Sequence, residues 1–152
     1  MATELIEESI DIDASPQKVW SIVSDLRTMG ERSPQCKKMF IFGGDVKQGT
    51  RTLNINRRGP LVWPTNCKVV AFTPNQEIAW KIVENGTVWA YKITPKGDGV
   101  TLTESRTAAN GETSKISSFL VDRAFGGNDN FEVELHAGMR ETLGKIKRSA
   151  ES

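Results

Sequence analysis

The sequence is poor in the residues that most often carry chemistry: its 152 residues include one histidine, one tyrosine and two cysteines. Cys36 and Cys67 lack CxxC spacing, and one histidine cannot complete a zinc set with them, so no metal centre is expected and both thiols are read as reduced and interior. Nucleophile-elbow, P-loop, dinucleotide-binding and metal-binding signatures are absent, and no cofactor is expected. Gly43-Gly44 and Gly126-Gly127 are isolated pairs of the kind that serve turns or caps. No apolar run approaches the roughly 20 residues of a membrane-spanning helix. The opening Met-Ala-Thr-Glu-Leu-Ile-Glu-Glu lacks the basic and apolar regions of a signal peptide, so a cytoplasmic location is the expectation. Charge is balanced, with 20 Lys and Arg against 19 Asp and Glu, which gives no global reason to expect a nucleic-acid partner. Repeats, low-complexity segments and interdomain linkers are missing too, and residues 1–152 are read as one domain.

What is there is punctuated regularity. Residues Ile10 to Pro34 alternate apolar and polar through Ile10 and Ile12, then switch at Ala14-Ser15-Pro16 to the helical spacing of Val19, Trp20, Ile22, Val23 and Leu26. Ser15 can cap this helix, and Pro16 fits its first position, where a missing N–H costs nothing. The first strand is predicted over Thr3 to Asp13, with Ile6, Ile10 and Ile12 on one face and Glu8 interrupting it. The helix is predicted to end near Asp25, and a second short helix or turn follows through Met29 to the Ser33-Pro34 break.

Further strands are predicted over Cys36 to Phe42, Arg51 to Arg58, Thr65 to Phe72, Gln76 to Glu84, Thr87 to Thr94 and Val100 to Ala108. Leu53 and Ile55 alternate with Asn54 and Asn56 as in a half-buried strand. Thr73-Pro74-Asn75, Asn85-Gly86 and Pro95 to Gly99 carry turn chemistry between strands. Arg57 to Pro64 reads as a hairpin connection with an apolar tip, barred from a central ladder by its two prolines. After Asn110-Gly111 the period becomes helical. Thr113 to Phe125 is read as a helix or lid, and a final helix, with a capping box from Asp129 and Glu132, runs to about Ser149. Phe131, Leu135, Met139, Thr142, Leu143 and Ile146 line one stripe of that helix, beside Gly138, and the stripe must face the sheet.

The opening strand, the Ala14-Ser15-Pro16 turn and the Val19-Trp20 helix ending in Ser24-Asp25 resemble the polyketide cyclase and lipid-transport branch of the START-like (SRPBCC) superfamily. The resemblance covers nearly the whole chain. It implies an α+β helix-grip fold: a seven-stranded curved antiparallel sheet around one long C-terminal helix, with two short helices after strand one. It also implies a START-like ligand cavity on the concave side of the sheet. One departure stands out, because the resembled family commonly carries a tryptophan where this chain has Arg32, just before Ser33-Pro34.

Period-two alternation selects the residues that would face such a cavity. Trp80 shares a face with Ile78 and Ile82, Trp89 and Tyr91 share one with Ile93, and Leu102, Glu104 and Arg106 share one with Val100. With Leu135 and Met139 of the last helix, Trp80, Trp89, Tyr91, Leu102, Glu104 and Arg106 form the expected ligand-binding set. Glu104 and Arg106 serve either as a polar anchor for a carboxylate, carbonyl or phenol, or as an ion pair satisfying itself. Tyr91 either directs its hydroxyl at the ligand or bonds a backbone carbonyl. His136 falls at the edge of the apolar stripe with no partner evident, the position of a solvent-edge histidine rather than a general base. Leu61, Val62 and Trp63, flanked by Arg57 and Arg58, either gate the cavity and touch a bilayer transiently or fold back over the cavity mouth.

Three functions remain open from these residues. The first is binding, with or without transport, of a small hydrophobic or aromatic molecule such as a lipid or polyketide, by a monomer or homodimer. The second is a polyketide cyclase or dehydratase in which Arg106 polarises a carbonyl and Tyr91 or Glu104 moves a proton. The third is a protein-interaction module resembling the coenzyme-Q-binding and ribosome-associating relatives, against which the near-neutral charge argues for any RNA-bound form.

Overall fold

A computed structural model describes residues 5–34, 36–108 and 128–152 of the chain, with side chains in the last segment from residue 133. The predicted lid over Thr113 to Phe125 and the Phe131 side chain lie outside the described residues. Strand β1 (Leu5–Ile12) leads into helix α1 (Pro16–Val23), a 3-10 turn (Leu26–Thr28) and the one-turn helix α2 (Met29–Arg32). Six strands follow: β2 (Cys36–Phe42), β3 (Arg51–Arg58), β4 (Leu61–Thr73), β5 (Glu77–Ile82), β6 (Val88–Lys96) and β7 (Gly99–Thr107). The long helix α3 (Asn128–Glu151) closes the chain. Helix α3 already includes Asp129, which therefore does not occupy the capping position predicted for it.

The seven strands form one curved antiparallel sheet in the order β1-β7-β6-β5-β4-β3-β2. Strands β2 to β7 are a meander, and β1 joins its far side by pairing along its whole length with β7, from Leu5 opposite Thr107 to Ile12 opposite Val100. Helices α1 and α2 bridge the two edge strands. Local chemistry starts α1 as expected: the Ser15 side chain accepts the Lys18 N–H at 3.1 Å, and Pro16 sits in the first turn. Helix α2 lies so close to β2 that a Cβ on Gly30 would fall 2.0 Å from the Lys37 carbonyl oxygen, so only glycine fits there.

Helix α3 packs chiefly on β1 and also on both short helices, touching β7 more lightly. Its buried stripe consists of Leu135, Met139, Thr142, Leu143 and Ile146, and the Thr142 hydroxyl ties it to α2 by donating to the Arg32 carbonyl at 3.0 Å. Between helices and sheet lies the core, including Val19, Val23, Leu26, Val69, Ile78, Tyr91, Leu102 and Leu143.

Three local expectations are corrected. Arg57 to Pro64 is not a loop: β3 and β4 stay paired to Arg58 opposite Leu61, with Gly59 (φ 58°) and Pro60 alone making the reversal. Pro64 is tolerated inside this long strand because β5 pairs with β4 only as far as Cys67, leaving one side of β4 free of ladder bonds beyond that region. The five-residue turn predicted after Thr94 shrinks to Gly97 and Asp98, with Lys96 and Gly99 already paired. In β3 the alternation is right but the face is reversed: Thr52 and Asn54 are buried, whereas Leu53 and Ile55 are half-buried on the outer side.

Candidate functional site

The sheet register brings the expected site residues into two adjacent cross-strand rows on the concave face. One row runs Glu8, Glu104, Tyr91, Ile78; the next runs Ile6, Arg106, Trp89, Trp80, Val69. Trp80, Tyr91, Leu102, Glu104 and Arg106 are all buried, and Trp89 is half-buried. The Trp80 and Tyr91 rings lie 5.7 Å apart in a tilted pair. Leu135 and Met139 come together with Ile6 in a smaller apolar group against Trp89, so they flank the row at its β1 side.

Arg32 completes the site from the opposite wall. Although only 5% exposed, its guanidinium sits 5.8 Å from the centroid of the Tyr91 ring. It is held there by hydrogen bonds from Nη1 to the Thr28 hydroxyl (2.6 Å) and the Asp25 carbonyl (3.5 Å), and from Nη2 to the Val23 carbonyl (3.4 Å). These acceptors lie at the C-terminal end of α1 and in the turn after it, the Val23 carbonyl being one that the helix leaves free and the Asp25 carbonyl being shared with Thr28. Such a cation needs no carboxylate partner to stay in place, and it faces the sheet.

Burial sets the protonation of what it faces. The Glu104 carboxyl is pushed up to about 8 by desolvation, with Arg32 pulling the other way. The Tyr91 phenol is driven upward, first by burial and then by the neighbouring Glu104, while Arg32 lowers it. Tyr91 Oη and Glu104 Oε1 are buried without a hydrogen-bond partner among the described residues, as is Arg32 Nε. Arg32 acts on Glu104 by charge alone and on Tyr91 by charge and a marginal hydrogen bond that falls short of good geometry, so neither oxygen is well satisfied. Unpartnered polar atoms in a protein interior carry a penalty of about 1–3 kcal/mol each, and three converging on one place call for a common partner.

A second buried polar group lines the inner face of β3 and β4: the Thr52 hydroxyl donates to Asn54 Oδ1 at 2.8 Å, and Asn54 Nδ2 donates to Cys67 Sγ at 2.9 Å. An open cleft of about 630 Å³ lies where the β3–β4 hairpin meets α3, lined by Pro34, Lys37, Arg58, Glu134 and Gly138 among others. Arg58 pairs with Glu134 there through two hydrogen bonds, linking hairpin to helix. Strand alternation divides the predicted gating residues: Trp63, opposite Asn56, is on the concave side, while Val62, opposite Arg57, is on the convex side and 56% exposed.

The family comparison agrees with this fold. The family model for polyketide cyclase / dehydrase and lipid transport matches residues 3–151. The chain belongs to that family. No curated protein sequence matches significantly. Among solved structures, a Polyketide_cyc-like protein of Corynebacterium glutamicum is similar at 26% identity, over 96% of this chain and 90% of that one, with a TM-score of 0.65. The di-domain ARO/CYC StfQ from the steffimycin biosynthetic pathway is similar in fold at 18% identity and a TM-score of 0.76, over 97% of this chain and 50% of that one. This chain therefore spans half the length of that relative. A START superfamily protein of Mycobacterium smegmatis matches at 15% identity, covering 95% and 97% of the two chains, with a TM-score of 0.68.

Arg32 was conspicuous in the sequence only as a charge standing where a tryptophan is common; its burial over Tyr91 was not foreseen. The Thr52-Asn54-Cys67 group was missed because Leu53 and Ile55 are the apolar half of that alternation. His136 does have a partner, Glu8, at 2.7 Å from its Nδ1, with Arg140 3.4 Å from the same carboxylate oxygen. This cluster lies at the outer edge of the Glu104 row.

Proposed function

We propose that this family member binds a small apolar molecule bearing a ring and a hydroxyl or carbonyl group, held between the concave sheet face and α3. The observation that carries the reading is the convergence of Tyr91 Oη, Glu104 Oε1 and Arg32 Nε, all buried and unpartnered among the described residues. Trp80 and Trp89 supply flat apolar walls, with Leu102, Leu135 and Met139 filling around them. A neutral Glu104 and the Tyr91 phenol donate hydrogen bonds, Arg32 stabilises an oxygen carrying negative charge, and Arg106 stands one residue pair away on the same face. The cleft beside the Arg58–Glu134 pair, with Pro34, Lys37, Arg57 and Gly138 on its walls, is the route of entry.

Native mass spectrometry of the purified protein, followed by organic extraction, tests this directly: a stoichiometric ring-bearing ligand is expected. Tyr91→Phe and Glu104→Gln should each weaken rebinding of the extracted compound about tenfold, in line with the loss of one hydrogen bond in a dry site. Unchanged affinity in both variants would remove the polar-anchor reading.

Catalysis is the second reading, favoured by the Glu104 carboxyl, which remains largely protonated at neutral pH. Such an acid can protonate a carbonyl oxygen as an enol carbon attacks it, or protonate a departing hydroxyl, the steps of a cyclase or dehydratase. In that case Glu104→Gln keeps substrate affinity within a few fold and loses turnover.

A further inference from the structure

We propose that the convex face of strands β2 to β5 docks on an anionic phospholipid bilayer. The register sets Phe42, Arg51, Lys68 and Lys81 side by side in one row across these four strands, and all four side chains are exposed. Three cations directly opposite one another repel, and cross-strand neighbours of like charge destabilise a sheet. None of the three forms an ion pair with another described residue. Glu84, which lies near this row, is engaged instead by the backbone and side-chain amides of Asn66. The fold thus maintains a repulsive row that its own acids do not neutralise.

Apolar groups accompany the charge. Phe42 is 57% and Phe40 43% exposed, and the Lys38 ammonium lies 5.0 Å over the Phe40 ring. Lys38 shares its row with Ile55 and Pro64, and Arg57 shares the next outward row with the exposed Val62. Lysines on an edge strand ordinarily guard against sheet-to-sheet pairing, which accounts for Lys37 and Lys38 on β2. It does not account for Arg51, Lys68 and Lys81, which stand on interior strands. At the opposite edge the outward residues of β1 include Glu7 and Asp11, and the outward lysines of β6 meet acids, Lys92 opposite Glu77 and Lys96 paired with Asp11, so the unanswered row is the one on β3 to β5.

Cations interleaved with exposed phenylalanine and valine match an interface of anionic headgroups over hydrocarbon. A nucleic acid fits less well: single strands are held in grooves that track the backbone, whereas this face is the outer side of a curved sheet and one of its rings is already covered by Lys38. The surface is separate from the concave site, so its test does not depend on the ligand.

Flotation with vesicles of phosphatidylcholine, with and without phosphatidylserine, is the deciding experiment. The protein is expected to float only with the phosphatidylserine vesicles and to be released by high salt. Lys68→Glu and Lys81→Glu should each weaken binding at least fivefold, the effect of losing one membrane-facing cation. Phe42→Ser should weaken it without changing the salt dependence. Lys18→Glu, an exposed charge reversal on α1, should leave binding unchanged. Melting temperature provides the folding control, since Lys68→Glu relieves repulsion and should not lower it. Absence of binding, equal binding to both vesicles, equal loss with Lys18→Glu, or tighter binding to a single-stranded oligonucleotide would each overturn the proposal.

Discussion

The Arg32 guanidinium is buried 5.8 Å from the centre of the Tyr91 ring, while Glu104, directly across the sheet from Tyr91, keeps its carboxyl high at about 8. A buried cation and a buried acid are thus brought to one aromatic ring without an ion pair being completed at Glu104 Oε1. On the other side, Glu104 faces Glu8, whose charge is met by His136 and Arg140. Two carboxylates opposite each other in a sheet are tolerated because one is paired and the other is neutral.

Removing Arg32 should raise Glu104 further. In Arg32→Met the cation that holds the carboxyl down is gone and desolvation acts alone, so its titration should move above about 8. Carboxyl carbon NMR across a pH series measures this. A downward movement would mean that another cation, rather than Arg32, governs the group.

Glu104 should make the protein less stable as pH rises. Its folded-state value, about 8, lies above the ordinary 4.5, so the folded protein retains a proton that the unfolded chain has released across that interval. Stability from this group is full below about 4.5 and is lost progressively as pH climbs through about 8, on the order of 5 kcal/mol in total. Glu104→Gln should flatten that slope in urea denaturation at several pH values and be the more stable protein at pH 8. An equally steep slope in the variant would refute the assignment.

Gly30→Ala should destabilise despite placing a better helix former in a helix. The added Cβ would meet the Lys37 carbonyl oxygen at 2.0 Å, a backbone atom that cannot rotate away. A loss of about 2–3 kcal/mol is expected, against the gain of about 1 kcal/mol that propensity alone predicts. The urea midpoint decides between the signs.

Neither thiol should react in the native state. Burial pushes Cys67 up to about 12 and Cys36 up to about 11, and Cys67 Sγ also accepts the Asn54 amide. A chromogenic disulfide reagent at pH 8 should leave both unmodified until denaturant is added, when two equivalents react. Rapid labelling of Cys67 in the native protein would show that the inner face of β4 opens.

Much of the fold was legible because its signals are local. Ser15-Pro16 starts α1 through a side-chain cap and a proline without an N–H, Asn85-Gly86 marks a reversal, and the stripe from Leu135 to Ile146 marks the helix face that has to be buried. Tyr91, Glu104 and Arg106 were readable as inward residues because their strands carry larger apolar neighbours on the same face. Alternation failed in β3, where it identifies two faces but not which one the rest of the protein covers. There Asn54 goes inward because Thr52 and Cys67 are waiting to bond it.

The sequence by itself determined the order of elements, the reversals and the apolar stripes, since each depends on residues within a few positions of one another. Only the tertiary structure decided that Arg32 faces Tyr91, that Glu8 is opposite Glu104 and partnered by His136, and that Arg51, Lys68 and Lys81 share a row. Those relations join residues up to 128 positions apart, and they are set by strand register and helix placement, which no local pattern contains.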